Sequence, residues 1–212
     1  MFYTLRSYNM PQHGFAWGQK TNLSCPVENV ICPQCGIASI FGYRSTYKGS
    51  FSIDIDQGTK YPDLMGCGAS AFTVVSQHAI DSFEKWEITG WEAVPVQIGT
   101  VKAKKLKEVK PPQYYSLLIE EGIQYDKKKM EYHSIMCDHC GKENISHNGN
   151  ISVVAESWSG KDLFKGDYMG FVWCTEKVLE CAKEEKLSNF SFIPLRNINK
   201  EYGERGQIRF KW

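Results

Sequence analysis

Residues 63–96 read DLMGCGASAFTVVSQHAIDSFEKWEITGWEAVPV, and residues 162–195 read DLFKGDYMGFVWCTEKVLECAKEEKLSNFSFIPL. The two segments align without a gap at an offset of 99 positions, and residue character agrees at many of these positions. The identical pairs are Asp63 with Asp162, Leu64 with Leu163, Phe72 with Phe171, and Pro95 with Pro194. An internal match of this kind indicates a repeated structural unit.

Each segment predicts the same local structure. A short run of β-prone residues ends at Ser76 or Thr175, hydroxyl residues that are suited to cap a helix. Gly90 or Asn189 then lies where the end of a helix needs left-handed backbone, and a second β-prone run follows. Apolar residues at helical spacing give each helix one apolar face, which we interpret as core: Ala79, Ile80 and Phe83, and Val178, Leu179 and Ala182. The unit is strand, helix, strand.

A cysteine pair precedes each repeat, CPQCG at residues 32–36 and CDHCG at residues 137–141. Two sulfurs three residues apart converge on one ion only if the backbone turns between them, and the following glycine permits that turn. Four thiolates complete a closed tetrahedral zinc shell. We therefore predict one structural Zn2+ bound by four cysteines: Cys32, Cys35, Cys137 and Cys140.

Other interpretations of the cysteines stay open: plain thiols, two separate sites, or a redox pair. The redox interpretation is disfavoured because neither pair lies between an obvious strand and a helix N-terminus, where a thiolate is activated. Cys174 and Cys181 are interpreted as buried core, and Cys25 and Cys67 stay unassigned. Three histidines near the second pair are possible substitutes for a cysteine ligand: His133, His139 and His147.

These patterns predict an α+β protein with two pseudo-repeated halves. Each half is expected to consist of a zinc knuckle followed by a strand–helix–strand unit, and a shared zinc site is expected to join the halves. We assign residues 1–101 to the first half, 102–130 to a linker and 131–212 to the second half, all packed into one globule.

Composition and motifs narrow the class of function. The chain has 25 Lys and Arg against 24 Asp and Glu, a formal charge of +1, so no strong overall field attracts nucleic acid or membrane. The first ten residues lack the apolar run of a secretory signal, which predicts a cytoplasmic protein with reduced thiols and no membrane partner. Phosphate-loop, zinc-protease and serine-hydrolase motifs are missing from the sequence, and we expect no enzymatic activity.

The segment Lys102–Lys110 contains five lysines and supports an alternative function. A zinc ribbon with such a segment can bind nucleic acid. Its position between the repeats and before Pro111 and Pro112 favours a solvated linker instead.

The chain resembles the double-CXXCG motif family, which is related to immunity proteins of bacterial polymorphic toxin systems. The motifs that carry the resemblance are CPQCG and CDHCG, Val75-Ser76, Cys174-Thr175-Glu176, Leu187-Ser188-Asn189-Phe190 and the segment Pro111–Tyr115. The resemblance implies a protein that binds and neutralises a cognate toxin. Among functional residues it carries over only the four cysteines of the predicted zinc site.

We expect neutralisation by occlusion of the toxin's active site, with an oligomeric state that the sequence leaves open. Aromatic anchors and charged side chains dominate such interfaces. Candidate anchors are Trp17, Trp158 and Tyr168, and candidate carboxylates are Asp54, Asp56, Glu120 and Glu121. Trp17 and Trp158 are equally consistent with core positions.

Overall fold

The computed structural model of this 212-residue chain describes residues 1–7, 14–21, 29–31, 33–34, 38–40, 51–67, 73–139, 143–147, 150–167, 171–195 and 208–209. Within these ranges the α-helices are α1 (Gln77–Lys85) and α2 (Glu176–Glu184), and short 3-10 helices cover Lys104–Leu106 and Ala155–Ser157. The strands of the described ranges are, in chain order, β1 (Phe2–Ser7), β2 (Trp17–Thr21), β3 (Asn29–Ile31), β4 (Ala38–Ile40), β5 (Ser52–Gln57), β6 (Leu64–Cys67), β7 (Thr73–Ser76), β8 (Trp91–Val101), β9 (Tyr114–Ile119), β10 (Glu121–Tyr125), β11 (His133–Met136), β12 (Glu143–Ser146), β13 (Val153–Val154), β14 (Leu163–Gly166), β15 (Val172–Thr175), β16 (Phe190–Pro194) and β17 (Ile208–Arg209).

Six strands form a closed barrel in the order β2-β5-β8-β9-β7-β6. The parallel pairing of β5 with β8 closes it, and alternate residues of β5 point inward, so that Ile53 and Ile55 are fully buried. Ala103 and Leu106, just beyond β8, add their buried side chains to the same core. The barrel thus has a packed interior.

A second sheet contains seven strands in the order β13-β10-β14-β15-β1-β16-β17. Its outer strands β13 and β17 pair over two residues each, and the sheet stays open. Trp173 and Phe164 are fully buried on one of its faces, together with Tyr125. A hydrogen bond from Trp173 Nε1 to Tyr125 Oη, 3.1 Å long, satisfies the indole inside this core.

A third core cluster combines residues of both sheets with the apolar faces of α1 and α2. Phe83 of α1 and Cys181 of α2 are fully buried in it, beside Val75 of the barrel and Phe192 of the open sheet. This cluster is the contact between the two sheets and holds them in one body.

The two predicted strand–helix–strand units are confirmed as β7-α1-β8 and β15-α2-β16. Ser76 is the N-cap of α1, and its side chain accepts a hydrogen bond from the Ala79 backbone N at 3.2 Å. Gly90 and Asn189 have left-handed backbone, with φ of 95° and 66°, but they lie in the turns before β8 and β16 and do not end the helices as predicted. The helices end earlier, and the left-handed residues just beyond them are Glu87 and Lys186, with φ of 50° and 56°. A helix cap acts over a few residues, which is why the sequence reveals where α1 begins.

The predicted fold class, an α+β protein of two pseudo-repeated halves joined by a shared zinc site, is wrong. The chain is mostly β, with a closed barrel and an open sheet. The open sheet takes β1 from the predicted first half, because β1 lies between β15 and β16, and the barrel takes β9 from the predicted linker, because β9 lies between β7 and β8. Residues 102–130, predicted as a linker, contain β9 and β10.

Candidate protein-binding surface and cysteine hairpins

Both cysteine motifs lie in the loop of a two-stranded hairpin. The strands β3 and β4 pair up to Ile31 and Ala38, and β11 and β12 pair up to Met136 and Glu143. Each hairpin therefore has a loop with the pattern C-x-x-C-G-x, at residues 32–37 and 137–142. The turn that we predicted between the cysteines is confirmed at residues 33–34 and 138–139. Two cysteines on either side of such a turn can bind one metal ion.

The positions of the four predicted zinc ligands are described only in part. Cys137 is buried, whereas Cys32, Cys35 and Cys140 lie outside the described residues. Within the described ranges no group of three or more His, Cys, Asp or Glu side chains is placed to hold a metal. The turns, the burial of Cys137 and the all-thiolate donor set fit zinc, and zinc binding stays a prediction.

The other cysteines and the nearby histidines have different environments. Cys174 and Cys181 are fully buried, as predicted, and burial raises the pKa of the Cys181 thiol to about 12. Such thiols are unreactive core residues. Cys25 lies outside the described residues, and the side chain of Cys67 is likewise not described. Of the candidate histidine ligands, His133 and His139 are exposed and His147 is half-buried.

The hairpin β11–β12 presents apolar side chains to solvent. Every residue of β11 is exposed, and the exposed fractions of Ile135 and Met136 reach 76% and 66%. Successive strand residues point to opposite faces, so β11 exposes side chains on both of its faces. An isolated two-stranded hairpin is marginally stable in water, and a bound metal or a partner protein can stabilise it.

Asp63 connects the barrel side of the molecule to the turn after α2. Its Oδ2 accepts hydrogen bonds from the backbone N and from Oγ of Ser188, both at 2.7 Å. Its Oδ1 accepts from Ser76 Oγ at 2.6 Å and contacts His78 Nδ1 at 3.2 Å. The two hydroxyls donate to the carboxylate and not to the imidazole, which differs from a serine–histidine–aspartate triad.

Asp162 makes the corresponding contacts 99 positions later. Its Oδ2 accepts from the backbone N and from Oγ1 of Thr89, both at 3.0 Å, and its Oδ1 accepts from Thr175 Oγ1 at 2.9 Å. Lys177 Nζ, at 3.6 Å, takes the place of the imidazole. Asp162 contacts a lysine at the position where Asp63 contacts His78, so the contacts of these aspartates do not require a histidine. We therefore assign both aspartates a structural role. The sequence showed that Asp63 and Asp162 occupy the same position in the two aligned segments. It did not indicate what either aspartate does.

The predicted toxin-contact carboxylates divide into two groups. Asp54 Oδ1 accepts a hydrogen bond from Thr100 N at 2.8 Å. Asp56 pairs with Lys102 at 3.0 Å, and this hydrogen bond and charge raise the pKa of Lys102. These two carboxylates thus already have partners inside the barrel wall. Glu120 and Glu121, in contrast, are exposed beside the end of β9.

Beside Glu120 lies a pocket of about 210 Å³ that sequence reasoning missed. Its lining includes the apolar residues Trp91 and Leu118 and the charged residues Glu92, Glu120 and Lys161. The sequence pattern gave Gly90, at the edge of this pocket, a helix-ending role only. No pattern in the sequence places β8 and the loop before β14 side by side.

Trp158, one of the predicted aromatic anchors, is 39% exposed and lies next to this pocket. Its Nε1 donates to the carbonyl oxygen of Lys161 at 2.9 Å, and its ring contacts Phe2 and Phe164 at centroid distances of 5.4 and 6.4 Å. Trp17 is half-buried, and Tyr168 lies outside the described residues. The structure therefore leaves Trp158 partly available for a partner and holds its ring in one orientation.

The lysine-rich segment Lys102–Lys110 covers part of the barrel core. Ala103 and Leu106 are buried there. Lys102 pairs with Asp56, and the other lysines of the segment are exposed: Lys104, Lys105, Lys107 and Lys110. The segment is therefore a packed part of the fold and not only a solvated connection. Nucleic-acid binding by these lysines stays a prediction.

No protein-family model matches this chain, and no curated protein matches it either. The resemblance to the double-CXXCG family thus stays a prediction. In the part of the chain that the structure describes, no helix is long and apolar enough to cross a membrane.

Proposed function

We propose that this protein is a cytoplasmic immunity protein that binds a cognate bacterial toxin and neutralises it by covering its active site. The observation that carries the proposal is the exposed hairpin β11–β12 with Ile135 and Met136. The double cysteine motif supports the same class of function through the family that it resembles.

The exposed hairpin supports protein binding for an energetic reason. Full burial of a large apolar side chain contributes about 1.5–3 kcal/mol, and most of the surface of Ile135 and Met136 is still in water. A partner that covers both side chains therefore gains about 2–4 kcal/mol from them. Large exposed apolar side chains on one short strand can mark a site of contact with a partner protein.

Zinc would stabilise the hairpins from within. Cys32, Cys35, Cys137 and Cys140 would hold the ion, and a closed thiolate site contributes folding free energy without a reactive water. The metal is proposed as a structural element of the toxin-binding surface. It takes no part in chemistry.

The test is growth rescue in a bacterium. The proposal expects a modular toxin gene directly beside the gene for this protein, and its toxin domain is co-expressed with the wild type or a variant. We expect the wild type to restore growth and the double variant Ile135→Asp with Met136→Asp to lose rescue. The matched control is Val109→Asp, because Val109 is also an exposed apolar residue, 49% exposed, and lies in the lysine-rich segment.

Circular dichroism must first show that all variants are folded. Loss of rescue by the hairpin variant alone supports the proposal. Equal rescue by the hairpin variant and the control contradicts docking through β11–β12, and a toxin that the wild type leaves active contradicts the proposed function itself.

A further inference from the structure

The pocket beside Glu120 has the size of one side chain. Its volume is about 210 Å³, below the roughly 300–1,000 Å³ of sites for drug-sized ligands. Trp91 forms one wall, and its Nε1 donates to the carbonyl oxygen of Ile88 at 2.8 Å, which fixes the plane of the indole. A flat, fixed aromatic wall suits a planar or aliphatic group.

More acidic than basic residues line the pocket. Glu92 and Glu120 are its acidic residues, and Lys161 is its basic residue. Glu120 is exposed at the end of β9, and its backbone carbonyl accepts a hydrogen bond from Lys165 N at 2.8 Å, which fixes the position of its main chain. The charge of the pocket therefore favours a cationic group from a partner.

An arginine side chain matches this combination better than a lysine side chain. Its guanidinium is planar and weakly hydrated, stacks on an indole, and pairs with a carboxylate through two parallel hydrogen bonds. Its aliphatic stem can lie along an apolar surface such as Leu118 and Trp91. A lysine ammonium supplies charge but no planar surface.

Trp158 extends the surface next to the pocket. The carbonyl oxygen of Lys161 holds the Trp158 indole, and Lys161 also lines the pocket, so the two features share one residue. A fixed, partly exposed tryptophan loses little conformational entropy when a partner covers it. The pocket and Trp158 together offer one charged and one apolar anchor point.

We propose that the pocket receives an arginine side chain of the toxin, whose guanidinium pairs with Glu120 and lies against Trp91. This inference rests on the proposed function and names the chemistry of one contact. Trp158 covers an apolar group of the toxin beside that arginine.

The experiment uses the full chain, labelled with 15N, and N-acetyl-L-arginine amide as the probe. The readout is the indole N–H resonance of Trp91. We expect a saturable shift with a Kd on the order of 1 mM, the range that a ligand of this size reaches. N-acetyl-citrulline amide has nearly the same shape without the charge, and we expect it to give no saturable shift.

Two variants locate the site. Glu120→Gln is expected to weaken arginine binding about fivefold, the upper range for an exposed charge pair. Glu121→Gln removes the neighbouring exposed carboxylate, which does not line the pocket, and is expected to leave the Kd unchanged. The spectra of both variants without probe must overlay that of the wild type away from the substituted residue.

Equal binding of citrulline, an equal effect of Glu121→Gln, or no shift with arginine overturns the inference. If the wild type neutralises the toxin and arginine gives no shift, this inference fails and the proposed function stands. If arginine binds as expected but the wild type does not rescue growth, the pocket still binds an arginine side chain and the proposed immunity function is contradicted.

Discussion

Replacement of Asp63 by alanine should destabilise the protein strongly. Asp63 accepts hydrogen bonds from Ser188 N, Ser188 Oγ and Ser76 Oγ at 2.6–2.7 Å, and its side chain is only 15% exposed. Alanine leaves these donors without their acceptor in a place that water reaches poorly. The bonds also connect the turn after α2 to β6, so their loss affects the contact between the two sheets.

The size of the effect follows from these contacts. A hydrogen bond to a charged group contributes about 1.5–3 kcal/mol, and a buried donor left unpaired costs about 1–3 kcal/mol. The hydroxyls of Ser76 and Ser188 can rotate toward other acceptors, whereas the Ser188 backbone N–H cannot. The pair with the exposed His78 adds less than about 1 kcal/mol. We expect a loss of about 3–4 kcal/mol for Asp63→Ala.

Asp162→Ala provides the matched comparison, because the same contacts occur 99 positions later. Thr89 is exposed, and its bonds to Asp162 are longer, at 3.0 Å. The Asp162 side chain is as buried as that of Asp63, at 14% exposed, but water reaches the exposed donor Thr89, and we expect a cost of only about 1–2 kcal/mol. Asp63→Asn keeps the shape of the side chain and removes its charge, and its cost should lie between those of the two alanine variants.

The assay is equilibrium unfolding in urea, followed by tryptophan fluorescence, with the free energy extrapolated to water. A cost for Asp162→Ala equal to or above that for Asp63→Ala refutes the argument that access of water to the donors sets the energy. Costs below about 0.5 kcal/mol for both variants refute a stabilising role for the aspartates, since changes of that size are typical of neutral surface positions.

Three further predictions concern backbone strain, a buried lysine and the metal. Gly90→Ala should lower the free energy of unfolding in urea by at least about 2 kcal/mol, because φ is 95° and a Cβ would overlap the Leu163 carbonyl oxygen. Gly160 has φ of 81° and open space around it, so Gly160→Ala should cost clearly less, and equal costs would contradict the overlap. Burial lowers the pKa of Lys165 to about 8 from 10.5, so the unfolded state binds more protons than the folded state between these pH values. The stability of the wild type relative to Lys165→Met should therefore rise by about 3 kcal/mol as pH increases from about 8 to 10.5. A pH-independent difference between these two proteins would contradict a neutral buried amine. Elemental analysis of the purified wild type should give one zinc per chain, and Cys137→Ser should lose it; a variant that keeps its zinc would remove Cys137 from the ligands.

Local structure could be predicted from the sequence because its causes are local. Ser76 caps α1 through a bond to a residue three positions later, and Gly90 ends the following turn with left-handed backbone. Both signals lie within one short segment and recur in sequence at Thr175 and Asn189. Thr175 takes the N-cap position of α2, but its Oγ1 donates to Asp162 Oδ1 and its side chain caps no backbone N–H. The start of each helix follows from this pattern, whereas α1 and α2 already end at Lys85 and Glu184, before Gly90 and Asn189.

The sheets could not be predicted, because their pairings join distant parts of the chain. Tyr3 pairs with Cys174 in the open sheet, and Ile53 pairs with Ile98 to close the barrel. The periodicity of apolar residues indicates that a strand has a buried face, but it does not indicate which strand pairs with it. One signal was present: residues 3–5 read YTL and residues 115–117 read YSL, and they occupy corresponding places in the two sheets.

The candidate site was predicted only in part for a similar reason. The cysteine motifs predicted a turn between the two cysteines, because that geometry is encoded within five residues, whereas the hairpins around the turns were not predicted. Exposure of Ile135 and Met136 depends on what packs against the hairpin, and an apolar pair in a sequence is more often core. The pocket at Trp91 forms where two loops that are distant in the sequence lie side by side, and no short sequence motif predicts that contact.

The most direct measurement is calorimetric titration of the purified toxin domain with this protein and with its Ile135→Asp variant. We expect 1:1 binding by the wild type and a loss of affinity of at least about tenfold in the variant, because the buried apolar contact is replaced by a charge that must lose its water. The same affinity for both proteins would contradict toxin binding through β11–β12. Absence of binding by the wild type would contradict the function proposed for this chain.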